Sequence, residues 1–406
     1  MDGFKTPPLD DFHSYSGLAH KQGDHLGTLN HYAAGPCADN QGLEGLLALV
    51  SGIIPEVAEF FEGKTVQCQR GMNLVAEKSD ATANAYRTTD QDTAAHIRSI
   101  YPAPLGGIPD LGGLPGSSHL GNFTDEDVKP KDPDDASQYE AKSISHMVWT
   151  LHTNMGEGFL AGAEKLFKFC TGQSLIELLL TPLTGDFGRL EYLHVAYSAL
   201  SEGLYTVTGT LRKGSWRLGS EWTGDAARGF DSYLFCWTMG MGGIGDAAAE
   251  VAKIYHDAYE TVLGLVRLAL RQIGTLINDD IEQLAKLAAQ TAAADATIEV
   301  VGGGPEDPLA DAAALLVTGV ELYRMYKIVN RIVTVVNAIE GTYKAIQEAL
   351  HKIPDAVNAV IKAVNSPMPS IGSLIDDVEQ RGFEFERTAG WSPTLGAARI
   401  GMLPAA

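Results

Sequence analysis

Basic clusters, long apolar runs, cysteines and strand-like alternation are all scarce in this sequence, and each scarcity excludes a class of function. No window of eight residues is rich in Lys or Arg, and 30 basic residues face 51 acidic ones, for a net charge of −21. A chain this acidic repels phosphate backbones, which argues against nucleic acid as a partner. The most apolar stretches, 43–61 and 315–339, are interrupted by Glu44, Pro55, Glu56 and Glu59 and by Glu321, Arg324, Lys327 and Arg331. A bilayer span needs about 20 nearly uncharged residues, so no transmembrane segment is expected. Residues 1–33 hold no apolar run of the ~7–15 residues a cleavable secretory signal requires, which taken alone points to the cytoplasm. The four cysteines, Cys37, Cys68, Cys170 and Cys236, are too few for a disulfide scaffold and too widely spaced for a zinc site.

What is present is helical periodicity. A first module, 1–101, opens with a helix over about 9–33 and breaks at Gly35-Pro36. Leu43, Leu46, Leu47, Val50, Ile53, Ile54 and Val57 then recur at the three- and four-residue spacings of a helix face, with Pro55 either kinking that helix or lying near its start. Residues 102–142 are rich in Pro and Gly and carry the acids Asp125, Glu126, Asp127, Asp132, Asp134 and Asp135, which reads as a solvated linker. In a second module, 143–298, Phe187, Leu190, Leu193, Tyr197, Leu200, Leu204, Val207 and Leu211 form an apolar stripe over 186–218. After a break at 219–224 a partner helix begins near Asp225, with the stripe resuming at Phe230, Tyr233, Leu234, Trp237 and Met241. So short a connection leaves no room for a crossover and predicts an antiparallel hairpin. A further helix is expected within 305–365 and an irregular tail over 366–406.

The fold class that follows is all-α: long antiparallel helical hairpins in a four-helix-bundle arrangement, with an additional C-terminal helix. Glycine is abundant at 44 residues, although each interior helical Gly costs about 1 kcal/mol against Ala. The spacings of three, four and seven among Gly42, Gly45 and Gly52 and between Gly158 and Gly162 suggest helix axes that approach closely.

The most informative residues are Trp222-Thr223-Gly224, within SEWTGDAARGFDSY, in the turn between the two long helices. An indole there can cap the end of the hairpin core, Gly can supply a positive φ, and Asp225 can cap the next helix. The arrangement resembles the Trp-x-Gly helical-hairpin superfamily, substrates of the type VII (ESX) secretion systems of actinobacteria, over about 174–287. The preceding LLLTPLTGD (178–186) is similar to the lead-in of large actinobacterial members. Tyr86 and Asp90 match the Tyr-x-x-x-Asp export pattern of such substrates, and the context ANAYRTTDQDTAAHI resembles Esp-type secretion-associated proteins. Residues i and i+4 share a helix face, so Tyr86 and Asp90 would present one aromatic-plus-acid patch. The two halves of the signature lie on different modules, Trp222-x-Gly224 on the second and Tyr86-x-x-x-Asp90 on the first.

The resemblance implies export without a cleavable signal peptide, to the cell surface or beyond. It also implies recognition by a type VII secretion ATPase or adaptor, and a helical protein partner or self-association. In an exported protein the cysteines could form one pair per module, Cys37 with Cys68 and Cys170 with Cys236; four buried thiols acting as small hydrophobes are the alternative. No catalytic constellation is expected. Ser117-Ser118-His119 lacks the strand–turn–helix setting of a nucleophile elbow. The spacing of His13, His20, His25 and His31 does not place them on one helix face, and they read as solvated. Neither metal nor cofactor is expected. The stretch after Pro367 is too short for a toxin domain. The sequence therefore reads as a non-enzymatic effector, adaptor or surface component. A cytosolic scaffold or chaperone for an ESX effector, or a delivery module without its catalytic domain, is the alternative.

Overall fold

A computed structural model describes residues 5–87, 121–139, 141–156, 161–287 and 319–365. Among these the protein is all-α, with an isolated bridge between Lys5 and Thr223 as the extended pairing recorded. The helices are α1 (Leu9–Ala34), α2 (Ile53–Arg87), α3 (Ala141–Gly156), α4 (Ala161–Thr171), α5 (Leu175–Leu179), α6 (Gly188–Gly219), α7 (Asp225–Leu276) and α8 (Gly319–Val364). A π-helical turn, Ile277–Ile281, continues α7. No helix among the described residues is long and apolar enough to cross a membrane.

The stripe that predicts α6 is buried along its whole length, from Phe187 through Leu190, Leu193, Tyr197, Leu200, Leu204 and Val207 to Leu211. It packs on α7, while α1 packs on α2 and also on α6. The two hairpins therefore share one apolar core, with Phe12, Tyr15, Leu26 and Leu29 of α1 in the same cluster as Tyr197, Leu204, Phe230 and Tyr255. At about 1.5 Å per residue, 32-residue α6 spans about 48 Å and 52-residue α7 about 78 Å, so α7 overhangs the bundle. Helix α8 covers that overhang. Buried Ile332, Ile339, Ile346 and Leu350 face inward, and Thr342 Oγ1 donates to Gln272 Oε1 at 3.1 Å.

Glycine permits the closest approaches. A Cβ on Gly71 would sit 2.3 Å from the Trp237 ring, one on Gly203 2.4 Å from Leu29, and one on Gly214 2.8 Å from Leu18 and Tyr15. Close helix approach is thus real but lies elsewhere than expected, because Gly42 and Gly45 sit in the connection before α2. Gly45 has φ +58°, and a Cβ there would lie 2.6 Å from the Thr184 carbonyl oxygen. The apolar run from Leu43 is likewise not one helix. Residues Gly45–Val50 form a 3-10 segment and α2 starts at Ile53, which leaves Pro55 in the first turn, where a missing N–H costs nothing.

The segment 121–139, expected as part of a solvated linker, is instead a strap seated between α1 and α6. Asn122 N–H donates to the Lys213 carbonyl at 3.2 Å, and Gly121 lies so close to α6 that a Cβ would meet the Arg217 nitrogen at 2.3 Å. Asp125 accepts from Gln22 Nε2 at 2.7 Å and pairs with His25 Nε2 at 3.1 Å. Lys213 pairs with Glu126, Val128 is 3% exposed, and the Tyr32 hydroxyl donates to the Lys131 carbonyl at 2.8 Å. Two of the acids that made this stretch look solvated, Asp125 and Glu126, find partners on the bundle, while Asp127 and Asp134 pair within the strap with Lys129 and Lys131. By the same contacts His25 is largely buried, and His13 is held by Asp80 at 2.8 Å, so neither is a free solvated histidine.

Candidate functional site

The start of α1, the end of α2, the end of α6 and the start of α7 converge at one pole of the bundle. The α6–α7 turn is Trp222-Thr223-Gly224. Gly224 has φ +109° and ψ −175°, a conformation almost confined to glycine, which turns the chain straight into α7. Gly224 itself occupies the N-cap position with no side-chain cap bond, which corrects the expectation that Asp225 caps the helix. The turn is pinned from outside by residues before α1: Thr223 N–H donates to the Lys5 carbonyl at 2.9 Å and Lys5 N–H to Thr223 Oγ1 at 3.1 Å.

Trp222 is 3% exposed. Its ring meets Phe12 edge-on at 4.8 Å and Phe230 at 5.4 Å, so the indole closes the core at this pole. Its Nε1–H donates to the Tyr86 hydroxyl oxygen at 3.0 Å. Tyr86 projects from the last turn of α2 and packs its own ring on Phe12 at 5.8 Å and on Trp222 at 6.4 Å. Burial pushes the Tyr86 phenol up from its ordinary range, partly offset by the indole hydrogen bond, so it is neutral near pH 7. The structure thus brings together Trp222, Gly224 and Tyr86 from different hairpins; Asp90 lies outside the described residues. Asp11 and Arg217 flank the cluster at 3.7 Å, with the Asp11 carboxyl raised mainly by burial.

The cysteines do not pair as the export reading suggested. Cys37 and Cys68 are both free thiols with no exposed surface, and burial pushes each thiol well above its usual range, so they behave as small hydrophobes. Cys170 is a free, exposed thiol on α4, and Cys236 lies on α7 with its side chain outside those described. The Ser117-Ser118-His119 stretch also lies outside the described residues.

Sequence reasoning missed one constellation. Glu191 and His194 on α6 and His256 on α7 offer ligand atoms within 4.8 Å of one another. The Glu-x-x-His spacing on α6 was a local signal; its third member lay in another helix.

No protein-family model matches the chain. No curated protein matches it either. No solved structure matches it.

Proposed function

We propose that the protein is a non-enzymatic substrate of a type VII secretion system, exported folded, with the Trp222–Tyr86 pole as its recognition element. The observation that carries this reading is the 3.0 Å hydrogen bond from Trp222 Nε1 to the Tyr86 hydroxyl. It joins the two halves of the expected signal, which the sequence places 136 residues apart, into one aromatic cluster in which Trp222 is buried and Tyr86 is partly exposed. A receptor ATPase or adaptor that reads Tyr86 and Asp90 would thereby read the end of a correctly packed bundle, since Tyr86 is oriented by Trp222 and Phe12 only when both hairpins are docked. After export the protein acts through helix–helix contacts. Exposed Trp149 (64%) and Met147 on α3 and Phe169 (82%) on α4 provide apolar side chains for a helical partner or a second copy.

The test is export of Tyr86→Ala, Trp222→Ala and the conservative Trp222→Phe from the native host, scored in culture filtrate against lysate. Each alanine variant is expected to lose export while remaining folded and detectable in the lysate. Trp222→Phe, which keeps the ring but not the indole N–H, is expected to be exported poorly. Undiminished export of both alanine variants would refute the assignment, and protein found only in the lysate for the wild type would favour the scaffold reading instead.

A further inference from the structure

We propose that Glu191, His194 and His256 form a binding site for a divalent transition-metal ion of the zinc class, clasping α6 to α7. The inference is independent of whether the chain is exported. Glu191 and His194 are three residues apart on α6 and project from the same face; His256 meets them from α7, its ring centroid 4.8 Å from that of His194. Two imidazoles and one carboxylate are the donor set of three-ligand zinc sites, whose fourth position is left to water.

The orientation of His194 is already that of a ligand. Its Nδ1 lies 3.0 Å from the Ala252 carbonyl oxygen, which can only accept, so Nδ1 carries the proton and Nε2 presents its lone pair. A backbone carbonyl on the far nitrogen is the usual outer-shell support of a metal-bound histidine. On the other side of the site His256 Nδ1 and Glu191 Oε2 are 2.9 Å apart. A tetrahedral ion at about 2.0–2.1 Å from each ligand sets donors about 3.3 Å apart. The Glu191–His256 separation of 2.9 Å lies close to that value, and all three ligand atoms lie within 4.8 Å of one another, a spread that side-chain rotation can close. For His256 to bind through Nδ1, the proton held between Nδ1 and Glu191 Oε2 must leave that nitrogen, moving to Nε2 of a neutral ring or to solvent from an imidazolium.

The floor of the site is packed and its mouth is open. Leu193, Tyr197, Ala252 and Tyr255 beneath it are buried, with the two tyrosine rings stacked at 5.8 Å. The Glu191 side chain is 17% exposed and that of His256 41%, which gives an ion a path from solvent. Asp257 and Glu260 on α7 add negative potential around His256.

The experiment is calorimetric titration of the chelator-treated full-length chain with Zn2+, with Co2+ absorption as a second probe of geometry. One ion per chain at micromolar affinity or tighter is expected, with tetrahedral Co2+ bands and a rise in Tm on adding Zn2+. His194→Ala, Glu191→Gln and His256→Gln should each weaken binding at least tenfold and abolish the Tm rise. The partly exposed His256→Gln variant keeps the test valid if His194→Ala fails to fold, with circular dichroism confirming its helicity. Binding weaker than about 100 μM would overturn the proposal, and so would tighter binding that His256→Gln weakens less than tenfold, which would assign the ion to other histidines of the chain.

Discussion

At the scale of single residues, Gly224 and Gly71 show two distinct uses of a missing side chain. Gly224 is exposed, so its value lies entirely in its backbone conformation, φ +109° and ψ −175°. Gly224→Ala should lower stability by about 1–3 kcal/mol, the usual cost of holding an L-residue in a region confined to glycine. Urea denaturation would measure it, and an unchanged midpoint would show that the turn relaxes freely. Gly71 has no such strain; its space is filled by Trp237, whose ring a Cβ would meet at 2.3 Å. The two tryptophans also differ in role. Trp237 fills the space over Gly71 of α2 beside the Tyr233 ring, whereas Trp222 links the two hairpins through its bond to the Tyr86 hydroxyl.

At the scale of elements, the strap 121–139 changes how the bundle holds together. It closes the α1–α6 groove with Phe123, Val128 and Ala136 and with the ion pairs of Asp125 and Glu126. Val128→Ala removes two buried methyl groups and should cost about 1.6 kcal/mol at ~0.8 kcal/mol per group. It should also open the strap to limited proteolysis that the wild type resists. Rapid cleavage of the wild type within 121–139 would show the strap to be undocked in solution. The strap was not legible in the sequence. Its hydrogen-bond partners Gln22 and His25 lie about a hundred residues away, and neither proline spacing nor acidity carries any record of them. Helices α6 and α7 were legible to within two residues at their shared turn. There the apolar stripe, a glycine break and Trp222-Thr223-Gly224 all mark the same boundary. The Trp222–Tyr86 contact falls between these extremes: each residue stood out by its local motif, but their meeting depends on how two hairpins dock, which no local pattern encodes. Glu191, His194 and His256 were overlooked for the same reason.

At the scale of the whole molecule, one core replaces the two modules the sequence suggested. Residues of α1, α2, α6, α7 and α8 belong to a single apolar cluster. Unfolding should therefore be a single cooperative transition, with far-ultraviolet dichroism and tryptophan fluorescence changing together in urea. Two resolved transitions would instead mean hairpins that fold separately. The net charge of −21 acts on the same scale: self-repulsion opposes compaction, and moderate salt should raise the midpoint by screening it.

The polar convergence of chain segments has a further consequence. Tyr86 and Gly121 bound the stretch 88–120, and both are anchored at the same end of the bundle, the first on Trp222 and the second against Arg217. The bundle, and not the stretch between, fixes how far apart those anchors stand. The end of α2 and the start of the strap thus take their places from one short run of chain, the last turn of α6 and the residues that follow it.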